Sequence, residues 1–344
     1  MKFHILLMTS MLALAACGGS GDSDIGGGGA GGGDDGGGTE NPTPDDPGID
    51  PGDLPVDGTE SCGGFLCSGD VTEITFEAND EGPEDDVLTL TGLPFDDDPE
   101  GAVFTYYDTI TGEDPDGPGP LEAINYDVYT NADVDPIPGF NTYFAIYKEV
   151  YSADSDTVPA LRLGVAAIEG YQNFGYTGAW YDVDDLTQVI PTLGLVEYTG
   201  GYAGTLTFEG NGQLALTDGT VTMQVDFTDS KLKGFITDRD IVDTTLAGAI
   251  TAGDGPELAD LVLNDTTITD GSFEGTVASY DDEGAVIESG TYQGFFGGDE
   301  ASVIGGLVQA VGDFDLDGDE GTTEDVYTAR DLGVFSADRV PFPD

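Results

Sequence analysis

Val221-Thr-Met-Gln-Val-Asp-Phe-Thr228 is the stretch on which the fold turns. Val221, Met223, Val225 and Phe227 alternate with Thr222, Gln224, Asp226 and Thr228. Successive side chains of a strand point to opposite faces, so this octet has one oily face and one wet face. The same period of two recurs in Gly204-Thr-Leu-Thr-Phe208, Phe273-Glu-Gly-Thr-Val277 and Tyr292-Gln-Gly-Phe-Phe296. Gly210-Asn-Gly212 reads as a hairpin turn. No segment carries a long helical period. From residue 62 onward, such runs separated by Gly, Asp, Asn and Pro predict an all-β body of the barrel or sandwich kind. A division near Pro191 gives a tyrosine-rich region over 62–190, with longer loops such as 113–120. Residues 191–344 hold roughly eight short strands, enough to close one antiparallel barrel and remove its exposed edges.

Upstream of this body the pattern is different. Lys2 followed by the apolar run 5–14 reads as a signal peptide over residues 1–16, too short to span a bilayer. It ends Leu14-Ala-Ala-Cys17-Gly18, small residues directly before a cysteine. Residues 17–61 are Gly, Asp, Pro, Ser and Thr with almost nothing apolar, and predict a disordered linker. Cys62 and Cys67, the two other cysteines, stand five residues apart in Ser61-Cys-Gly-Gly-Phe-Leu-Cys-Ser68. Export out of the reducing cytoplasm predicts a disulfide between them. A zinc site is not expected there, because no histidine or further cysteine completes one.

The formal net charge is −60, with eight Lys+Arg against 68 Asp+Glu and a single histidine, His4. This balance excludes nucleic acid as a partner, since phosphate binding needs clustered cations. It also opposes an anionic membrane surface, leaving a lipid to supply any membrane attachment. Self-repulsion of this strength is largely screened at high ionic strength, which suits a saline habitat. With His4 inside the signal segment, the usual serine and cysteine nucleophile systems lack their base, and no enzyme is expected.

The segment around Cys17 resembles the lipobox of bacterial lipoproteins. That resemblance implies cleavage before Cys17, lipidation of its thiol, and anchoring in the outer membrane, because Gly18 rather than Asp follows. Residues 191–344 resemble the barrel domain of the transferrin-binding protein B family of surface lipoproteins. The resemblance rests on Tyr198-Thr-Gly-Gly-Tyr-Ala-Gly204 leading into Val221 to Phe227, on Gly290 to Gly306, and on Gly333-Val-Phe-Ser-Ala-Asp-Arg339. Phe174-Gly-Tyr-Thr-Gly-Ala-Trp180 resembles the strand that precedes the barrel in that family. It implies an eight-stranded antiparallel barrel preceded by a smaller handle-like sheet. It further implies cell-surface exposure and an extracellular ligand, a protein or a haem or iron carrier. The family's ligand-binding loops have no recognisable counterpart here, and the acidity departs from members that engage host proteins.

One run has metal-ligating spacing. Asp313-Phe-Asp315-Leu-Asp317-Gly318-Asp319, with Glu324 at the twelfth place, matches a Ca²⁺ loop that offers clustered hard oxygens and a glycine at the sharp turn. The flanking helices such loops usually have are not predicted. An acidic structural lipoprotein that binds Ca²⁺ without a specific partner is therefore the alternative to a ligand-binding barrel. The tyrosines at 106, 107, 126, 129, 143, 147, 151, 171 and 176 pose a second question, because tyrosinate ligates haem iron. Alternation of Tyr143, Ala145 and Tyr147 reads equally as sheet packing. Trp180, the single tryptophan, reads as core.

Overall fold

A computed structural model describes residues 61–62, 65–67, 73–77, 86–91, 102–111, 125–131, 143–152, 159–168, 176–183, 190–209, 214–242, 257–281, 283–315 and 326–340. The described part is all β. The first sheet contains β1 (Ser61–Cys62), β2 (Phe65–Cys67), β3 (Glu73–Glu77), β4 (Val87–Thr91), β5 (Ala102–Thr111), β6 (Asn125–Asn131), β7 (Tyr143–Val150), β8 (Leu161–Ile168) and β9 (Tyr176–Val183). Strands β3 to β9 follow one another as a meander, and the short β1–β2 hairpin adds to the far side of β9. The sheet is curled and open.

The second sheet holds β10 (Leu195–Phe208), β11 (Leu214–Asp226), β12 (Lys231–Val242), β13 (Glu257–Leu258), β14 (Leu261–Thr269), β15 (Ser272–Tyr280), β16 (Val286–Gly297), β17 (Val303–Asp315) and β18 (Val326–Arg339). Its order runs β11-β10-β18-β17-β16-β15-β14-β12, and a further β11–β12 pairing joins the ends. Eight strands thus close into an antiparallel barrel, with β13 a two-residue addition to β12. The expected barrel is present, but its strands are longer than the sequence spacing suggests, up to 14 residues. Glycines that look like strand ends lie inside strands. Gly333 and Gly275 leave room for the rings of Tyr202 and Tyr292 respectively, which a Cβ would strike.

The octet 221–228 behaves as its alternation requires. Val221, Met223, Val225 and Phe227 are buried in the barrel interior, while Gln224 and Thr228 are exposed. Along β18 the inward row is Ala329, Asp331, Gly333, Phe335 and Ala337. The outward row, including Leu332 and Val334, packs with Leu161, Leu163 and Val165 of β8 in one shared core. Tyr126 of β6 reaches across the seam, its hydroxyl donating to the Gly201 carbonyl at 2.8 Å and lying 3.1 Å from Ser336 Oγ. One face of the first sheet therefore covers one wall of the barrel. On the other face Trp180 lies over Gly164, and Phe76 packs on Tyr147 with ring centroids 4.4 Å apart.

Between β16 and β17 the chain turns through Gly298, Glu300 and Ala301, all at positive φ. The buried Ala301 carbonyl accepts the Tyr198 hydroxyl at 2.6 Å, fixing this glycine turn and acidic-alanine segment to the barrel interior. Val303 then begins the returning strand that carries Gly305-Gly306.

Candidate functional site

Inside the barrel, three charged side chains meet. Arg239 of β12 donates through Nη1 to Glu288 Oε2 at 2.9 Å, and through Nη2 to Glu288 Oε1 at 3.1 Å and Asp331 Oδ2 at 2.8 Å. Its Nη1 also reaches the Ala259 carbonyl. Ser279 Oγ donates to Glu288 at 2.6 Å, and Thr217 Oγ1 donates to Asp331 Oδ1 at 3.1 Å. All four carboxylate oxygens are thus occupied. Along β18, Asp331 stands between Ala329, which packs with Phe208 and Phe314, and Phe335, which packs in the aromatic core below.

Burial pushes the Asp331 carboxyl above its ordinary value, and Arg239 opposes that rise. Burial pulls the Arg239 guanidinium down, yet Glu288 and Asp331 more than offset it and hold the group above its usual value. The Tyr202 hydroxyl beside them is pushed well up by burial and by Asp331. Both carboxylates of this network are fully engaged, while Arg239 Nε and the Tyr202 hydroxyl stay buried without a hydrogen-bond partner. The network is an internal polar layer of the barrel.

On the outer surface of the barrel one groove brings two exposed lysines together with four acidic side chains, Asp229 and Asp265 among them. The groove, of about 510 Å³, runs over the outer wall, lined by Leu195 and Glu197 of β10, Gln224 and Asp226 of β11, and Lys231 and Lys233 of β12. The tight β11–β12 turn positions it. Asp226 Oδ1 accepts the backbone N–H groups of Thr228 and Asp229 at 2.9 and 3.2 Å. Gly194 clips the turn from the side, its carbonyl accepting the Phe227 N–H and its own N–H donating to Thr228 Oγ1. This clip leaves Leu193 and Leu195 on the surface, 75% and 65% exposed.

The other described cations are engaged. Arg162 pairs with Glu149 at 3.3 Å, Lys148 lies over the Tyr126 ring, Arg239 and Arg330 are buried, and Arg339 donates to the Glu300 carbonyl. Lys231 and Lys233 are exposed on one face of β12, without an ion pair among the described residues.

The residues singled out by sequence lie elsewhere. Cys17 is outside the described residues. Cys62 and Cys67 fall on β1 and β2, where Cys62 is paired with Phe65 and Cys67 with Trp180. Asp313 and Asp315 are not in a loop but in the last turn of pairing between β17 and β18, opposite Thr328 and Val326. Asp313 Oδ1 accepts the Thr328 hydroxyl at 2.7 Å. Asp317, Asp319 and Glu324 lie outside the described residues. Among the described residues no group of three or more His, Cys, Asp or Glu is arranged to hold a metal ion. Tyr126, Tyr129 and Tyr147 are buried, and burial lifts each phenol well above its ordinary value. Trp180 is fully buried, as a core residue should be.

No protein-family model matches the chain, and no curated protein does. Among solved structures it is similar to a surface lipoprotein, at 13% identity over 54% of this chain and 78% of that one, with a TM-score of 0.33. It is also similar to transferrin-binding protein B from Actinobacillus pleuropneumoniae H49, at 14% identity over 56% of this chain and 80% of that one, TM-score 0.32. For the Haemophilus parasuis Hp5 protein of the same name the figures are 15% identity, 78% of this chain, 42% of that one and a TM-score of 0.37.

Proposed function

We propose that this chain is a lipid-anchored surface protein that binds an extracellular protein ligand through the outer wall of its barrel. The observation that carries the reading is the polarity of the barrel. Its interior is apolar and aromatic around the layer of Arg239, Glu288 and Asp331, while the outer wall away from the first sheet carries Gln224, Lys231, Lys233 and Asp265. A membrane barrel has the opposite arrangement, with lipid-facing apolar side chains and a polar lumen. This barrel is built to stand in water, so attachment to a membrane falls to an acyl group on Cys17. Two or more acyl chains hold a protein stably at a bilayer. A packed lumen leaves the outer wall, with its groove and paired lysines, as the binding surface.

Binding rather than catalysis fits the chemistry, since every carboxylate oxygen of the Arg239, Glu288 and Asp331 cluster is taken up by a hydrogen bond. Ferric iron or haem held by Tyr126, Tyr129 or Tyr147 is disfavoured, because all three are packed in the core and burial makes the tyrosinate costlier to form. A protein ligand is therefore the better reading, with iron or haem reaching the chain only as a ligand's cargo. A Cys62–Cys67 disulfide and Ca²⁺ at the 313–324 run are structural parts of the same proposal.

The test combines location and capture. Whole cells treated with external protease should lose the protein, and Cys17→Ala should release it from the membrane fraction. The full-length protein used as bait in the organism's growth milieu should retain a partner, and Lys231→Glu with Lys233→Glu should weaken that retention. Protection from external protease in intact cells would refute surface display. A retained partner indifferent to the double charge reversal would refute the groove.

A further inference from the structure

A second cavity, of about 290 Å³, lies where the first sheet meets the flank of the barrel. Its floor is the outward face of three neighbouring strands. Thr267 and Thr269 come from β14, Ser272 and Glu274 from β15, and Gln293 and Phe295 from β16. The register aligns them, with Thr269 opposite Ser272, Ser272 opposite Phe295, and Glu274 opposite Gln293. Tyr181 of β9 forms the side wall, its ring 4.6 Å from that of Phe295. This cavity borders the lysine groove, since Thr267 pairs with Lys231 across β14 and β12, but its lining residues are different and it does not depend on the reading given above.

Gln293 is the informative residue. Its side chain lines the cavity and is 4% exposed, yet its Nε2 has no hydrogen-bond partner. Two residues earlier on the same outward row, Thr291 Oγ1 is also buried and unpartnered. Buried amide donors are almost always paired, because leaving one unmade forfeits its hydration without return. Here the unpartnered donor borders a space bounded by Thr267, Thr269 and Ser272, the Glu274 carboxylate, and the aromatic residues Tyr181, Phe273 and Phe295.

The lining defines the ligand. No lysine or arginine lines the cavity, so an anion would find only Glu274. A purely apolar ligand would leave Gln293 unpaired. Alternating donors and acceptors on the floor, with Phe295 and Tyr181 beside them, match a ring that has hydroxyls at its edge and C–H bonds on its face. A small cavity with a few placed polar groups on an apolar frame is the usual form of a specific site. We propose that this seam binds a single neutral sugar ring, with Gln293 Nε2 donating to a ring substituent oxygen and Glu274 accepting from a hydroxyl.

The test uses D-glucose, D-galactose and N-acetylglucosamine as probes against the full-length chain, by saturation-transfer NMR and calorimetry. At least one should bind saturably, with a dissociation constant on the order of 1 mM. Gln293→Leu should weaken that binding by about tenfold. Glu274→Gln and Thr267→Ala, both at exposed positions, decide the matter if Gln293→Leu fails to fold, and each should weaken binding severalfold. Absence of saturable binding by all three sugars would overturn the proposal, as would binding unchanged in Glu274→Gln and Thr267→Ala. Binding of choline but of no sugar would also overturn it, by making Glu274 and the aromatic pair a cation site.

Discussion

Replacing Arg239 by methionine tests the architecture of the barrel most directly. Methionine keeps much of the chain length while removing the guanidinium that serves both Glu288 and Asp331. Both carboxylates are essentially inaccessible to solvent. Deleting one partner of a buried, hydrogen-bonded charge set costs about 3–5 kcal/mol, because the remaining charges stay buried without compensation. At roughly 2–4 °C per kcal/mol for a chain of this size, melting should fall by about 6–20 °C.

The pH dependence has a definite sign. Asp331 is raised in the folded state, so its contribution is most favourable below the unfolded carboxylate value and is lost as pH rises through the raised one. Without Arg239 that value rises further, and the window extends toward neutrality. The deficit of Arg239→Met should therefore shrink as pH falls from about 8 to about 5. Adding Glu288→Gln and Asp331→Asn should recover at least about half of it, since the uncompensated charge is then gone. Circular dichroism melts at several pH values read all of this. A variant that melts within about 3 °C of the parent at pH 8 would refute the claim that these charges depend on one another.

Gly164→Ala should destabilise the first sheet by about 1–3 kcal/mol, because the added methyl runs into the six-membered ring of Trp180, and tryptophan fluorescence should report it on denaturation. Tyr126→Phe should cost about 1 kcal/mol and quicken proteolysis at the seam, since its hydroxyl bonds Gly201 and faces Ser336 across it. Gly333→Val should be worse than either, as a branched side chain would collide with Tyr202 in the packed lumen, and the variant should fail to give a cooperative melt. Mass spectrometry of the unreduced protein should find Cys62 and Cys67 in one bridged peptide, and alkylation of both thiols without prior reduction would disprove the bridge.

The alternation at 221–228 was readable because each second residue is buried and nothing interrupts the period. The closure was readable from strand number and from the glycine and aromatic spacing near Gly290 and Gly333. The strand lengths were not, because glycine signals a break in isolation and only the partner ring, Tyr202 or Tyr292, explains why it sits within a strand.

The ionic layer was hidden for another reason. Arg239, Glu288 and Asp331 come from three strands separated by 49 and 92 residues, in a chain where acidic residues are everywhere. The only trace was Asp331 lying in the same alternate row as Phe335 and Ala337. Lys231 and Lys233 are two of only eight cations in the sequence, but that no described residue forms an ion pair with them depends on neighbours that only the fold supplies. The seam cavity draws Tyr181 from one sheet and Gln293 from another, and no local pattern joins them.

The place of β18 in the barrel carries a consequence for biogenesis. It is inserted between β10 and β17, pairing with each along nearly its whole length. Until residues 326–339 have been made and paired, the wall lacks a stave, and two long borders with unpaired backbone groups face each other across the gap. Pairing the earliest barrel strand with the latest is a slow, long-range step. Until then the half-made cylinder must stay apart from its neighbours, and the dense like charge along the chain repels them meanwhile.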